Sequence, residues 1–197
     1  MTQSPIAKRA ATDEATLRRR IASIIKQDTG DITALPVEAI VCPTNSALQP
    51  GGGNTVSGQV HAKGGPMLTE ACRQLHGCQP GEARLTKGFL LPAKYVIHTV
   101  GSRNNEKQVL ANCYRHCLEL CQHHRIRTVA IPCIATGAFG FDPEDACKIA
   151  LRVVRAFLMM DIAFGRDSFD RIIFSTFSSN DTNVYRELLP IYFPGYS

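Results

Sequence analysis

Residues 41–65 read VCPTNSALQPGGGNTVSGQVHAKGG, in which a short apolar strand runs through a turn bearing Asn45 into three glycines and the start of a helix. The approach, Glu38 to Cys42 (EAIVC), is short and β-branched, as a strand buried on both faces would be, and Pro43 stops it. In open α/β sheets ligands bind beyond the carboxyl ends of strands, so chemistry is expected just past that stop. Gly51, Gly52 and Gly53 can adopt positive φ and present bare N–H groups, and successive inward N–H groups form a nest for an anion. The loop reads as a phosphate cradle, although three glycines also suit an ordinary flexible turn.

Working outward, Ile21 to Lys26 (IASIIK) reads as a first strand ending in Thr29-Gly30-Asp31. Asp31 then stands at a strand end, where its carboxylate can receive a ligand's amino group or simply bond its own turn. Downstream, residues 57–63 and 66–76 read as helices, with Pro66 suited to a first helical position. Strands are expected at Ala83 to Lys87 and Tyr95 to Val100, and His98 inside the second reads as a core histidine. A long helix over 106–124 leads to the strand Thr128 to Pro132 and then to a second glycine-containing loop, Cys133 to Phe141 (CIATGAFGF). Asp142 is a natural N-cap, Pro143 fits the first helical position, and Glu144 and Asp145 suit the positive helix end. A strand end, a small-residue loop and a capped helix together make an anion site. The last strand is Arg171 to Thr176, followed by Phe177 and a closing helix at 182–190.

The 197 residues are 44% apolar, which suits one globular domain. The net charge of +5 is concentrated at the start: residues 1–26 hold six basic and two acidic side chains, a net of +4, leaving +1 for the rest. Residues 1–19 are therefore expected to be a mobile tail and residues 20–197 the domain. A nearly neutral body lacks the electrostatics of a duplex binder, so nucleic acid is not the expected partner. Eight cysteines without a C-x-x-C pair read as reduced thiols of an intracellular protein, cytoplasmic or nuclear. The basic, alanine-rich start leaves organelle import open, and no apolar run is long enough to span a membrane. Cys113, Cys117 and Cys121 recur at helical spacing among His116, His123 and His124; we read them as the buried stripe of a helix rather than a metal site, and no metal or cofactor is expected.

Strands alternating with helices argue for an α/β sandwich around a mostly parallel sheet with both glycine loops facing one crevice. Neither loop is G-x-G-x-x-G or G-x-x-x-x-G-K-[ST], so the dinucleotide and P-loop fingerprints are absent. Two phosphate cradles without a catalytic lysine or an acidic metal cluster fit recognition of a pyrophosphate rather than phosphoryl transfer.

Gly30-Asp31-Ile32-Thr33, VEAIV, Asn45-Ser46, the triple glycine, GCQPGEA at 77–83, LPAKYVIHTVG at 91–101, ATGAFGF at 135–141 and LPIYF at 189–193 together resemble the macro domain family, in its MacroD-type branch, over residues 20–194. The resemblance implies a monomer with a three-layer α/β/α sandwich around a mostly parallel mixed sheet, and binding of ADP-ribose, free or carried by a mono-ADP-ribosylated protein. It implies that Asp31 receives the adenine amino group with Ile32 beside it, and that Phe177 packs on the base. Gly51, Gly52 and Gly53 with Val56, Ser57 and Gly58 match the first phosphate loop. Ala135, Thr136, Gly137, Ala138, Phe139, Gly140 and Phe141 match the second, and Asn45 matches the asparagine at the distal ribose.

The chain departs from the pattern in two places. The family's hydrolases carry an aspartate where this chain has Ser57, preceded by an Asn54-Thr55 insertion, and often an asparagine where it has Cys42. A serine hydroxyl is a poor base without a partner, which leaves Asn45, Ser57 and His61 as the catalytic candidates, with His61 equally readable as a packing residue. Viral macro domains lack that aspartate and still hydrolyse. The expected function is ADP-ribose recognition, with mono-ADP-ribosyl hydrolysis or O-acetyl-ADP-ribose deacetylation as the alternative.

Overall fold

The computed structural model describes residues 5–102, 104–137 and 139–196. Its centre is a six-stranded sheet ordered β1-β6-β5-β2-β4-β3. The strands are β1 (Ile25–Thr29), β2 (Ala39–Pro43), β3 (Ala83–Lys87), β4 (Tyr95–Thr99), β5 (Thr128–Pro132) and β6 (Arg171–Thr176). All neighbours pair in parallel except β3, which runs antiparallel to β4 at one edge. The mixed, mostly parallel sheet expected from the sequence is therefore present.

The helices are α1 (Pro5–Ile24), α2 (Val56–Gly64), α3 (Pro66–Gln74), α4 (Lys107–His123), α5 (Pro143–Ala163) and α6 (Ser179–Tyr192). They divide between two cores because side chains alternate across each strand. Ala39 and Val41 face one core with Leu110, Cys117, Leu151 and Leu189 from α4, α5 and α6. Ile40 and Cys42 face the other, with Val60, Leu68 and Cys72 from α2 and α3. Cys113, Cys117 and Cys121 are fully buried in α4, so they line its core stripe as read from their spacing.

One expected strand is corrected. Residues 21–24 are the last turn of α1, and β1 begins only at Ile25. The run IASII has strand composition, but Leu17, Ile21 and Ile24 recur at helical spacing and all pack on the larger core, so tertiary burial decides the outcome. The helix crosses the boundary expected at residue 20, and Arg20 is tied to the body by bonds to Asp167 Oδ1 at 2.9 Å and the Phe169 carbonyl at 3.0 Å.

Candidate functional site

Beyond the carboxyl ends of β2, β5 and β6 lies a cleft of about 620 Å³, walled by Pro43, Pro132 and Ser175 at the strand ends and by the loops that follow them. Past β2 the chain turns on Asn45. Its Oδ1 accepts from Ala47 N at 3.1 Å and Gln49 N at 3.2 Å, and its Nδ2 donates to the Gln49 carbonyl at 3.0 Å. The side chain thus braces its own turn while lining the cleft.

Gly51, Gly52, Val56 and Ser57 line the cleft as expected, whereas Gly53 and Gly58 do not. The positive φ expected at Gly51, Gly52 and Gly53 is absent. What requires glycine here is close approach: a Cβ on Gly51 would lie 2.5 Å from Thr55 Oγ1, and one on Gly58 would lie 2.1 Å from the Gly52 carbonyl oxygen. Thr55 closes the loop. Its hydroxyl donates to Gly52 O at 2.7 Å and accepts from Gly58 N at 3.1 Å, capping α2. Thr55 therefore supplies the helix cap, a role that a threonine just ahead of a helix start signals in the sequence.

Ser57 is 4% exposed. Its hydroxyl accepts from Gly51 N at 3.3 Å and donates to Thr44 Oγ1 at 3.4 Å, both long for their type, so it is loosely held. Cys42 lies beneath it, and burial pushes that thiol up to about 12. His61, one turn along α2, does not line the cleft. It is buried, and its Nδ1 meets Thr69 Oγ1 at 3.0 Å, as for a histidine packed within the helix layer rather than one presented to the cleft.

The second loop offers Ala135, Thr136, Gly137 and Phe139 to the cleft. Ala135 has φ of 68° and Gly140 of 67°, and the turn is closed by Gly140 N to Gly137 O at 2.9 Å and Phe141 N to Ala135 O at 3.0 Å. Phe141 is 3% exposed and belongs to the core rather than the cleft wall. Ala138 lies outside the described residues. Asp142 caps α5 by accepting from Asp145 N at 2.9 Å.

At the far end, Ile32 lines the cleft but Asp31 does not. Asp31 Oδ1 accepts from Thr33 N at 3.0 Å, capping a short 3-10 turn over Ile32–Ala34, and its other oxygen pairs with Lys63 of α2. Burial opposes its charge, yet the hydrogen bonds from Lys63 and Thr33 outweigh that and hold the carboxyl below the usual carboxylate range. Phe177 stands in the wall with 76% of its surface exposed, an unusual position for a phenyl ring. Asn180 and Asp181 also line the cleft. The sequence reading missed them because it started the last helix at 182; the Ser178-x-x-Asp181 cap, bonded at 3.0 Å, was its signal.

Residues 41–150 match the macro domain model, and the chain is 49% identical over 164 residues to the macro domain-containing protein RSc0334 of Ralstonia nicotianae, covering 81% of this chain and 90% of that one. The chain belongs to the macro domain family. This macro domain is also 45% identical to the ADP-ribose glycohydrolase MACROD1 of Bos taurus across 84% of its own length, and it spans 51% of that longer relative. In three dimensions it is similar to the Trypanosoma brucei macrodomain in complex with ADP-ribose, with a TM-score of 0.80 at 30% identity over 96% of this chain and 92% of that one.

Proposed function

We propose that the cleft binds ADP-ribose, free or linked to protein. The observation that carries this reading is the joint placement of two backbone-lined loops and the exposed Phe177 around one cavity of about 620 Å³. That size falls within the roughly 300–1,000 Å³ of small-molecule sites. The Phe177 face suits a stacked base, and the loops at Gly51–Gly52 and Thr136–Gly137 suit a pyrophosphate through their N–H groups. Asn45 would then meet the distal ribose, and Asp31, between the lining residues Gly30 and Ile32, would meet the adenine amino group. Similarity to a macrodomain crystallised with ADP-ribose supports the same ligand. Calorimetry with ADP-ribose, AMP and NAD tests it, with ADP-ribose expected to bind most tightly; no heat at millimolar ADP-ribose overturns the reading.

A second reading, hydrolysis of a mono-ADP-ribosyl linkage, is favoured by the relatives named ADP-ribose glycohydrolase at about 45% identity and by Ser57 lining the cleft. With no carboxylate at position 57, the macro domain would act by holding the ribose on Asn45 and letting a substrate phosphate place the water, through orientation more than proton transfer. Loss of label from a mono-ADP-ribosylated protein is the result expected, and retained label under saturating enzyme rejects this reading while leaving binding intact.

A further inference from the structure

Beside the cleft but outside its lining, three side chains from three elements converge at the smaller core. His61 of α2, Cys72 of α3 and His98 of β4 place one ligating atom each within 4.8 Å of one another. All three are buried, at 5%, 2% and 0% exposure. Each imidazole has one nitrogen on a threonine hydroxyl: His61 Nδ1 lies 3.0 Å from Thr69 Oγ1, and His98 Nε2 lies 2.9 Å from Thr86 Oγ1. Cys72 Sγ lies 3.5 Å from His98 Nε2 and 3.9 Å from its Nδ1, and His61 Nε2 is the one buried side-chain polar atom without a hydrogen-bond partner among the described residues.

Buried polar atoms are rarely left unpaired, so the orphaned nitrogen asks for an occupant. A metal-bound histidine characteristically donates its second N–H to an oxygen that fixes the ring, and Thr69 stands where such a partner of His61 would. We propose that His61, Cys72 and His98 form a buried site for monovalent copper, with the unpaired His61 Nε2, one nitrogen of His98 and the Cys72 sulfur as its ligands.

The donor set selects the ion. One thiolate and two neutral imidazoles suit a soft cation. A monovalent cation on one thiolate is electrically neutral, whereas a divalent one leaves a net charge in a dry core and lacks the fourth ligand that structural zinc takes. Among the described residues no carboxylate joins the cluster to correct either shortfall. Burial pushes the Cys72 thiol up to about 11, so it is protonated when the site is empty. Binding forms the copper–sulfur bond, breaks the sulfur–hydrogen bond and sends one proton to solvent, with no change of oxidation state. Bonds of about 2.0–2.3 Å in a trigonal site separate ligand atoms by about 3.5–4 Å. The Cys72–His98 separations of 3.5 and 3.9 Å already meet this, and all three ligand atoms lie within 4.8 Å of one another.

The test titrates the full-length, reduced protein anaerobically against copper(I) held by a coloured chelator. One equivalent should pass to the protein, with X-ray absorption showing two nitrogen and one sulfur neighbours. Cys72→Ser should abolish the transfer, and Thr69→Val should weaken it about 10–100-fold. Failure to withdraw copper, transfer undiminished in Cys72→Ser, or an all-sulfur coordination shell would each overturn the proposal. Equal capture of zinc ions added alone would overturn the choice of ion. Should Cys72→Ser fail to fold, the absorption spectrum of the unmodified protein still decides, since it requires no variant.

Discussion

Asp31 carries a carboxylate that Thr33 and Lys63 already occupy, and both members of the ion pair are partly exposed, at 36% and 51%. If that carboxylate receives an adenine amino group, removing it should weaken ADP-ribose binding by about 1–3 kcal/mol. Releasing it from its cation should do the reverse: Lys63→Ala is expected to tighten binding by no more than about fivefold, because exposed ion pairs are worth at most about 1 kcal/mol. Calorimetry on both variants checks the pair, and an Asp31→Ala affinity equal to the unmodified protein's would reduce Asp31 to a turn residue. Ser57 makes a second residue-scale test. Its hydrogen bonds to Gly51 and Thr44 are long, and Ser57→Asp would set a carboxylate beside the Gly51 N–H in the cleft lining. A positioned proton acceptor is typically worth about 10²–10⁴ in rate, and Ser57→Asp should raise release of ADP-ribose from modified protein toward that range with little change in affinity. A slower Ser57→Asp enzyme would instead put catalysis on Asn45 and the substrate's own phosphate.

The helix beginnings and ends carry the next two predictions. A methyl group on Gly58 would strike the Gly52 backbone, so Gly58→Ala should push the first loop off α2. ADP-ribose affinity is expected to fall at least tenfold, with a stability loss of about 1–3 kcal/mol by overpacking, read by calorimetry and thermal melts. At the other end of the fold, Asp161 of α5 collects Ser168 N at 2.6 Å, Ser168 Oγ at 2.8 Å, Gln122 Nε2 at 2.6 Å and Arg166 Nε at 3.1 Å. Burial alone would raise its pKa, but these donors together hold it below the ordinary 3.8. Its contribution is thus complete above that value and lost as pH falls through the lower folded-state value. Asp161→Asn should cost roughly 1–3 kcal/mol at neutral pH, and urea unfolding in acid should show the gap closing. At this scale the sequence was most informative where burial on both faces leaves no alternative, as in EAIVC, YVIHTV and TVAIP, which form strands within a residue of their reading. It misled at IASII, where strand composition met a helical period that only the tertiary core could favour. It misled again at Gly51 to Gly53, where sequence cannot show whether glycine serves conformation or clearance. Asn180 and Asp181 escaped notice because a helix boundary error of three residues hides a whole wall of the cleft.

Across the molecule the sheet separates a larger core from a smaller one, and α1 belongs to the larger. Ile21 is 4% exposed, so Ile21→Ala should destabilise the whole domain by about 2–4 kcal/mol, seen as a shifted urea midpoint with unchanged slope. A loss within a few tenths of a kcal/mol would mean that α1 rides on the surface and that the fold is complete without it. The sequence showed charge separation between the start and the body; it could not show that Arg20 spends its charge on Asp167 instead of on a partner.

Helix α2 touches three places with nine residues: Ser57 at the cleft, His61 in the small core and Lys63 on Asp31. Its length is about 13 Å, too short to bend appreciably, so it can move only as a rigid rod. A rod pinned near both ends and its middle converts local events into a common motion. Tilting it to admit a bulkier group at Ser57 must strain the pin at Lys63, and tightening either pin must stiffen the mouth of the cleft. The tolerance of this pocket for oversized substrates is therefore set partly by residues that never meet them.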